Sequence, residues 1–149
     1  MSEAAFIGSA ALNLAFVVAA LTTVAGLHAH VSHSPRSQAL LRHGSLLLAA
    51  LFGVASCALV HGLVGEDFVL RYVYEQSDRS EHLVYVLAAF WGGQAGSLLF
   101  WAATLSFFGV AMLRFHRNDG LPLALAQGLL AGSVLFFTAL LLFHSDPFK

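Results

Sequence analysis

The chain has 149 residues, of which 58% are hydrophobic and 10% charged, with a formal net charge of −1. Soluble domains carry about 25% charged residues, so these few side chains cannot solvate a globule of this size. The composition excludes an ordinary soluble enzyme, a disordered chain and a nucleic-acid binder, which would need basic clusters; it points to a membrane protein whose first partner is the lipid bilayer. The one cysteine, Cys57, excludes an internal disulfide and a cysteine zinc site.

A spanning helix needs about 20 mostly apolar residues, and the charged residues divide the chain into four such runs. The first, 4–27, carries no charge and is preceded only by Glu3. It is too long for a signal-peptide core and lacks a basic leader, so it reads as a retained helix. The second, 43–65, is uncharged apart from the titratable His43 and His61. The third uncharged stretch, 83–113, exceeds one span and contains Trp91-Gly92-Gly93-Gln94-Ala95-Gly96-Ser97. Glycine weakens a helix by about 1 kcal/mol relative to alanine, so the stretch divides. Residues 83–90 form a short interfacial helix, 91–96 a break, and 97–114 the span. Trp91 and Trp101 suit an interfacial belt at that entry. The last span covers 121–143, with Asp119 as a candidate cap and Pro122 tolerated in the first turn. The expected fold is all-α and polytopic, with four transmembrane helices plus a short interfacial helix before the third. It forms a single domain over 1–149 with an outer loop over 62–82.

Arg36, Arg42, Arg114 and Arg117 flank the first and third connections; Arg71, Arg79 and Lys149 lie on the other side. Of the eight acids, only Asp119 shares the side of Arg36 and Arg114. Basic residues favour the cytoplasmic side. This places both termini and the 62–82 loop on the outer, periplasmic side, and the 28–42 and 114–120 loops in the cytoplasm. Three stripes of small residues at fourfold spacing, Ala11/Ala15/Ala19, Ala49/Gly53/Cys57 and Ala124/Gly128/Gly132, would let helices approach closely; Ala and Gly are also simply common in membrane helices. In the outer loop, Phe68, Leu70, Tyr72 and Tyr74 alternate with Val69, Arg71, Val73 and Glu75, the period of an extended segment and a plausible docking surface.

Chemistry is sparse. His28, His30 and His33 lack an accompanying acid or cysteine, and their spacing fits no single helix face. A solvated polar loop explains them better than a metal site, and no metal is expected. His61 and His144 fall at the outer ends of the second and fourth spans. They are candidate haem ligands, as in a small dihaem electron carrier, or interfacial histidines at the headgroups. No nucleophile–base set and no phosphate loop is visible. No charge sits mid-span, which argues against a pump or ion-coupled transporter.

The run Trp91-Gly92-Gly93-Gln94-Ala95-Gly96-Ser97-Leu98-Leu99-Phe100-Trp101 resembles the W-G-G-x-x-G-S-L-L-x-W motif of the cytochrome c maturation haem lyase family, in its large F subunit. Asp67-Phe68 with Arg71-Tyr72-Val73 and Ser77, the start at Ile7-Gly8, and the closing Ser145-Asp146-Pro147-Phe148 agree with that family in order and spacing. The resemblance covers essentially the whole chain. It implies cytochrome c-type biogenesis: haem, handled as substrate, is attached covalently to apocytochrome c on the outer face of the cell inner membrane, with a haem chaperone as partner. It also implies outside termini. Trp91, Gly92, Gly93, Gln94, Gly96, Ser97 and Trp101 are then the candidate haem-contacting residues, or they only shape a helix entry. The family's tryptophan-rich segment and axial histidines lie downstream of the point where this sequence stops, and Ala95 stands where members often carry an acid. The resemblance therefore implies an amino-terminal piece: a truncated frame, a fragment, or part of a split lyase. Its partner would be the remainder of the lyase or a larger tryptophan-rich membrane subunit. The alternative function is a non-catalytic membrane scaffold for cytochrome assembly partners.

Overall fold

A computed structural model describes residues 3–64, 88, 90, 92–115 and 120–148. Four helices make it up: α1 (Glu3–Ser32), α2 (Pro35–Val64), α3 (Gln94–Phe115) and α4 (Gly120–Phe143). Each contains a stretch long and apolar enough to cross a membrane, and the described residues contain no strand. Of the expected interfacial helix only Ala88 and Phe90 are described, both with helical backbone; Trp91, Asp119 and the loop beyond Val64 lie outside the described residues.

The helices run up-down-up-down around a square. α1 packs on α2 and α4, and α3 packs on the same two, with slight contact across the α2–α4 diagonal. One end of the square gathers the end of α1, the start of α2, the end of α3 and the start of α4. It holds Arg36, Arg42 and Arg114. The opposite end holds Glu3 and Asp146.

The first connection is shorter than the polar composition of 28–42 suggests. Helix α1 runs on through His28 and His30 to Ser32, and α2 already starts at Pro35. No helix breaker stands between His28 and Ser32, so the polar residues continue the helix past the apolar run. His33 ends it in the left-handed region, φ 54°, which histidine enters more readily than most residues. Ser34 then accepts a hydrogen bond from the Gln38 N–H at 3.1 Å, and Pro35 takes the first helical position, where its missing N–H costs nothing. A hydrogen bond of 2.7 Å between His28 Nδ1 and the Ser37 hydroxyl ties the two helices beside the turn. The turn is two residues, and His28 and His30 belong to a helix rather than a loop.

Unlike that of a soluble bundle, the exterior is apolar as well as the interior. Large apolar side chains such as Phe6, Leu21, Phe107, Phe108 and Phe136 point outward. The interior is mostly alanine and leucine around Phe52, with Thr22, Ser45, Ser106, Gln127 and Thr138 also buried. Hydrocarbon gives no hydrophobic drive between helices, so close packing and interhelical hydrogen bonds must hold them. The hydroxyls of Thr22, Ser106 and Thr138 donate to carbonyls of their own helices four residues earlier, at 2.7, 2.8 and 2.6 Å.

Two further features join different helices. At the α1–α4 crossing Gly26 and Gly128 face each other. A Cβ on Gly128 would lie 3.2 Å from Gly26 backbone atoms, and one on Gly26 would strike the Gly128 backbone. Gly132 continues the contact against Thr23, and Gly44 of α2 receives the Thr22 side chain. The second feature is Gln127, 1% exposed. Its Nε2 donates to Gly109 O of α3 at 2.6 Å, and its Oε1 accepts from the Ser45 hydroxyl of α2 at 2.7 Å. One amide thus joins α2, α3 and α4.

Gly128→Leu should therefore separate α1 from α4 and cost roughly 1–3 kcal/mol or more. Gly53→Ala should be neutral or stabilising by up to about 1 kcal/mol, because among the described residues a Cβ there meets only Phe107, at 3.9 Å. Thermal unfolding in detergent ranks the two. By the same measurement Gln127→Met should cost about 1–2 kcal/mol and Ser45→Ala less, since Ser45 leaves the second Gln127 bond intact.

Candidate functional site

The glycine motif forms the start of α3. Gly93 is the bend and supplies the first helical acceptor: Ser97 N donates to Gly93 O at 2.9 Å. The Ser97 hydroxyl donates to Gln94 O at 2.9 Å. The helix thus begins at Gln94, three residues before the expected span, and among the described residues of the expected break only Gly93 departs from helix. Gly93, Ala95 and Gly96 are buried, whereas Gly92 and Gln94 are exposed. Among the described residues nothing lies within 4 Å of a Cβ placed on Gly92, so their packing does not require glycine there.

The next turn carries an aromatic corner. Phe90 and Phe100 stack edge to face at 6.3 Å, and Phe100 and Trp101 at 6.1 Å. Trp101 is 54% exposed, so its side chain reaches the outer surface of the bundle. Trp91 lies outside the described residues.

His61 sits in the last turn of α2 and His144 directly after α4, at the same end of the bundle as the motif. Both are exposed and stand on helices that lie diagonally opposite. Among the described residues no group of three or more His, Cys, Asp or Glu could hold a metal ion.

At that end the chain folds back after α4, which sequence reasoning did not foresee. His144 N and Ser145 N both donate to Leu140 O at 3.0 Å, ending α4. Asp146 Oδ1 then accepts from Phe148 N at 3.0 Å, which turns the chain and buries the Phe148 ring against Gly8, where a Cβ would overlap it. The Ser-Asp-Pro-Phe segment is thus a plug over the start of α1. Gln127 was missed too, although an amide within an uncharged run is a visible signal.

The basic end carries an open cleft of about 440 Å³ lined by Pro35, Gln38, Leu41, Arg42, Leu113 and Leu123. A cavity of about 10 Å³ lies beside Ser45, Ser106 and Gln127, the space of one water. Neither is lined by a motif residue, His61 or His144.

Four membrane-length helices with an apolar exterior define an all-α polytopic membrane protein. No family model matches the chain. It is 33% identical over 144 residues, 95% of its length, to the cytochrome c-type biogenesis protein ccl1 of Rhodobacter capsulatus, and covers 22% of that protein. It is 33% identical over 146 residues to the cytochrome c-type biogenesis protein CcmF of Escherichia coli, covering 96% of the chain and again 22% of the relative. The fold matches a solved cytochrome c haem lyase CcmF with a TM-score of 0.92 at 23% identity, over 100% of this chain and 25% of that one. The chain belongs to the CcmF family of cytochrome c-type biogenesis proteins and spans about a fifth of the length of these relatives.

Proposed function

We propose that the chain serves cytochrome c-type biogenesis as a membrane segment of a haem lyase, which attaches haem covalently to apocytochrome c on the outer face of the cell inner membrane. The observation that carries this reading is the 33% identity to a cytochrome c-type biogenesis protein along 95% of the chain. Haem and apocytochrome c are the substrates. The partners are the remainder of the lyase, or a larger tryptophan-rich subunit, and a haem chaperone.

Within that reading the chain's own residues position rather than react. Buried Gly93, Ala95 and Gly96 seat the start of α3 against the bundle. That seating fixes Phe100 and Trp101 as an outward aromatic surface, the kind of face a flat porphyrin stacks on. His61 and His144 lie open at the same end, where a ligand would need the rest of the assembly to enclose it.

Orientation follows from charge: Arg36, Arg42 and Arg114 at one end belong in the cytoplasm, and Glu3 and Asp146 at the other face the periplasm. With Cys57 replaced by serine, Glu3→Cys in intact cells should react with a membrane-impermeant maleimide, and Ser34→Cys only after lysis. The opposite pattern would invert the topology. Function is tested by complementation in cells lacking this segment, read as covalent haem on c-type cytochromes. Trp101→Ala should lower that haem several-fold while shifting stability by less than about 0.5 kcal/mol; unchanged haem would leave Trp101 a lipid-interface residue alone.

A further inference from the structure

Helix α1 turns a continuous apolar face away from the bundle, with Phe6, Ile7, Leu14, Val17 and Leu21 exposed. Asn13 interrupts that face and is itself exposed. The uncharged run 4–27 is centred between Ala15 and Phe16. At about 1.5 Å rise per residue, Asn13 therefore lies about 4 Å from the middle of the hydrocarbon layer. Its Nδ2 donates back to Ser9 O of its own helix at 2.8 Å, with Ser9 Oγ at 3.5 Å. Among the described residues nothing donates to its Oδ1.

The bundle treats its other amide within a span differently. Gln127 is buried, with both ends of the amide engaged by neighbouring helices. An amide oxygen left facing acyl chains forgoes the hydrogen bond that water or protein would give it. Polar side chains at membrane depth face protein or water-filled space far more often than lipid.

We propose that the outer face of α1 around Asn13 docks a further transmembrane helix of the haem-lyase assembly, whose side chain donates a hydrogen bond to Asn13 Oδ1. The proposal rests on the functional reading above and adds the surface through which that assembly is joined. The donor must be a hydroxyl, amide, indole or similar N–H or O–H group, which acyl chains lack. A second copy of α1 fits the face poorly. A tight symmetric helix pair needs small residues at its crossing, and Gly8, Ala11, Ala15, Ala19 and Gly26 are all buried within this bundle. In the solved lyase three-quarters of the chain lies outside the matched part, ample to supply the helix.

The test places a photoreactive residue at Ala10, one turn from Asn13 and likewise exposed, in cells containing the whole assembly. The expected product is one cross-link to the polypeptide carrying the remainder of the lyase, identified by mass spectrometry. Asn13→Leu should reduce its yield about three- to tenfold, and Asn13→Gln should restore most of it. Lipid adducts alone, a cross-link to a second copy, or an undiminished yield in Asn13→Leu would each overturn the proposal. Covalent cytochrome c haem in the same cells separates the two ideas. If haem attachment does not depend on this chain, the functional reading fails; if it does and Ala10 meets only lipid, the docking surface alone fails.

Discussion

Acyl chains and leucine side chains are equally apolar, so these four helices gain little by exchanging lipid for one another. What the interior offers instead is proximity and hydrogen bonding. Gly26 and Gly128 let two backbones meet where any side chain would part them. Gln127 does the complementary work on the other side of the square, joining α2 and α3 to α4 through one amide. The rest follows from these contacts. The crossing sets how α1 lies on α4, and the clasp sets the register of α3, which in turn fixes where the glycine bend and the aromatic corner emerge.

The two ends of the bundle differ in kind. The basic end is a tight helical turn and a cleft bordered by Arg42. The other end collects the glycine bend, the Phe90–Phe100–Trp101 corner, both terminal histidines and the Phe148 plug. The groups to which we assign a part in haem handling therefore share one end of the bundle. The described part of that end is a platform: its groups are seated and oriented, but the surface is open.

The spans were legible because charge cannot sit in hydrocarbon, so the few charged residues act as punctuation. Helix ends were less legible. The polar residues from His28 to Ser32 cost nothing in a helix once outside the lipid, and only His33 and Pro35 stop α1 and start α2. Packing was legible in part. The Ala11/Ala15/Ala19 stripe is wholly buried, whereas along Ala49/Gly53/Cys57 burial fades from buried to exposed. A fourfold spacing drifts about 40° per step around a helix of 3.6 residues per turn, so one stripe cannot follow one neighbour for long. The Gly26 contact was invisible because its partner lies 102 residues away in sequence, from Gly26 to Gly128. The motif residues were found by resemblance, and their burial pattern separates those that pack, Gly93, Ala95 and Gly96, from those that face outward, Gly92, Gln94 and Trp101.

The two-residue connection at His33 and Ser34 gives the bundle a built-in order in time. Helix α2 follows α1 with no intervening chain to wait for, so the pair can close into a hairpin as soon as Val64 has left the ribosome and entered the bilayer. The other neighbour of α1 does not begin until Gly120. Throughout that interval the strip of α1 bearing Thr23 and Gly26 faces lipid or whatever else is near. A nascent chain of this design is thus born with a temporary vacancy, narrow enough to suit a glycine-bearing helix, which α4 later fills.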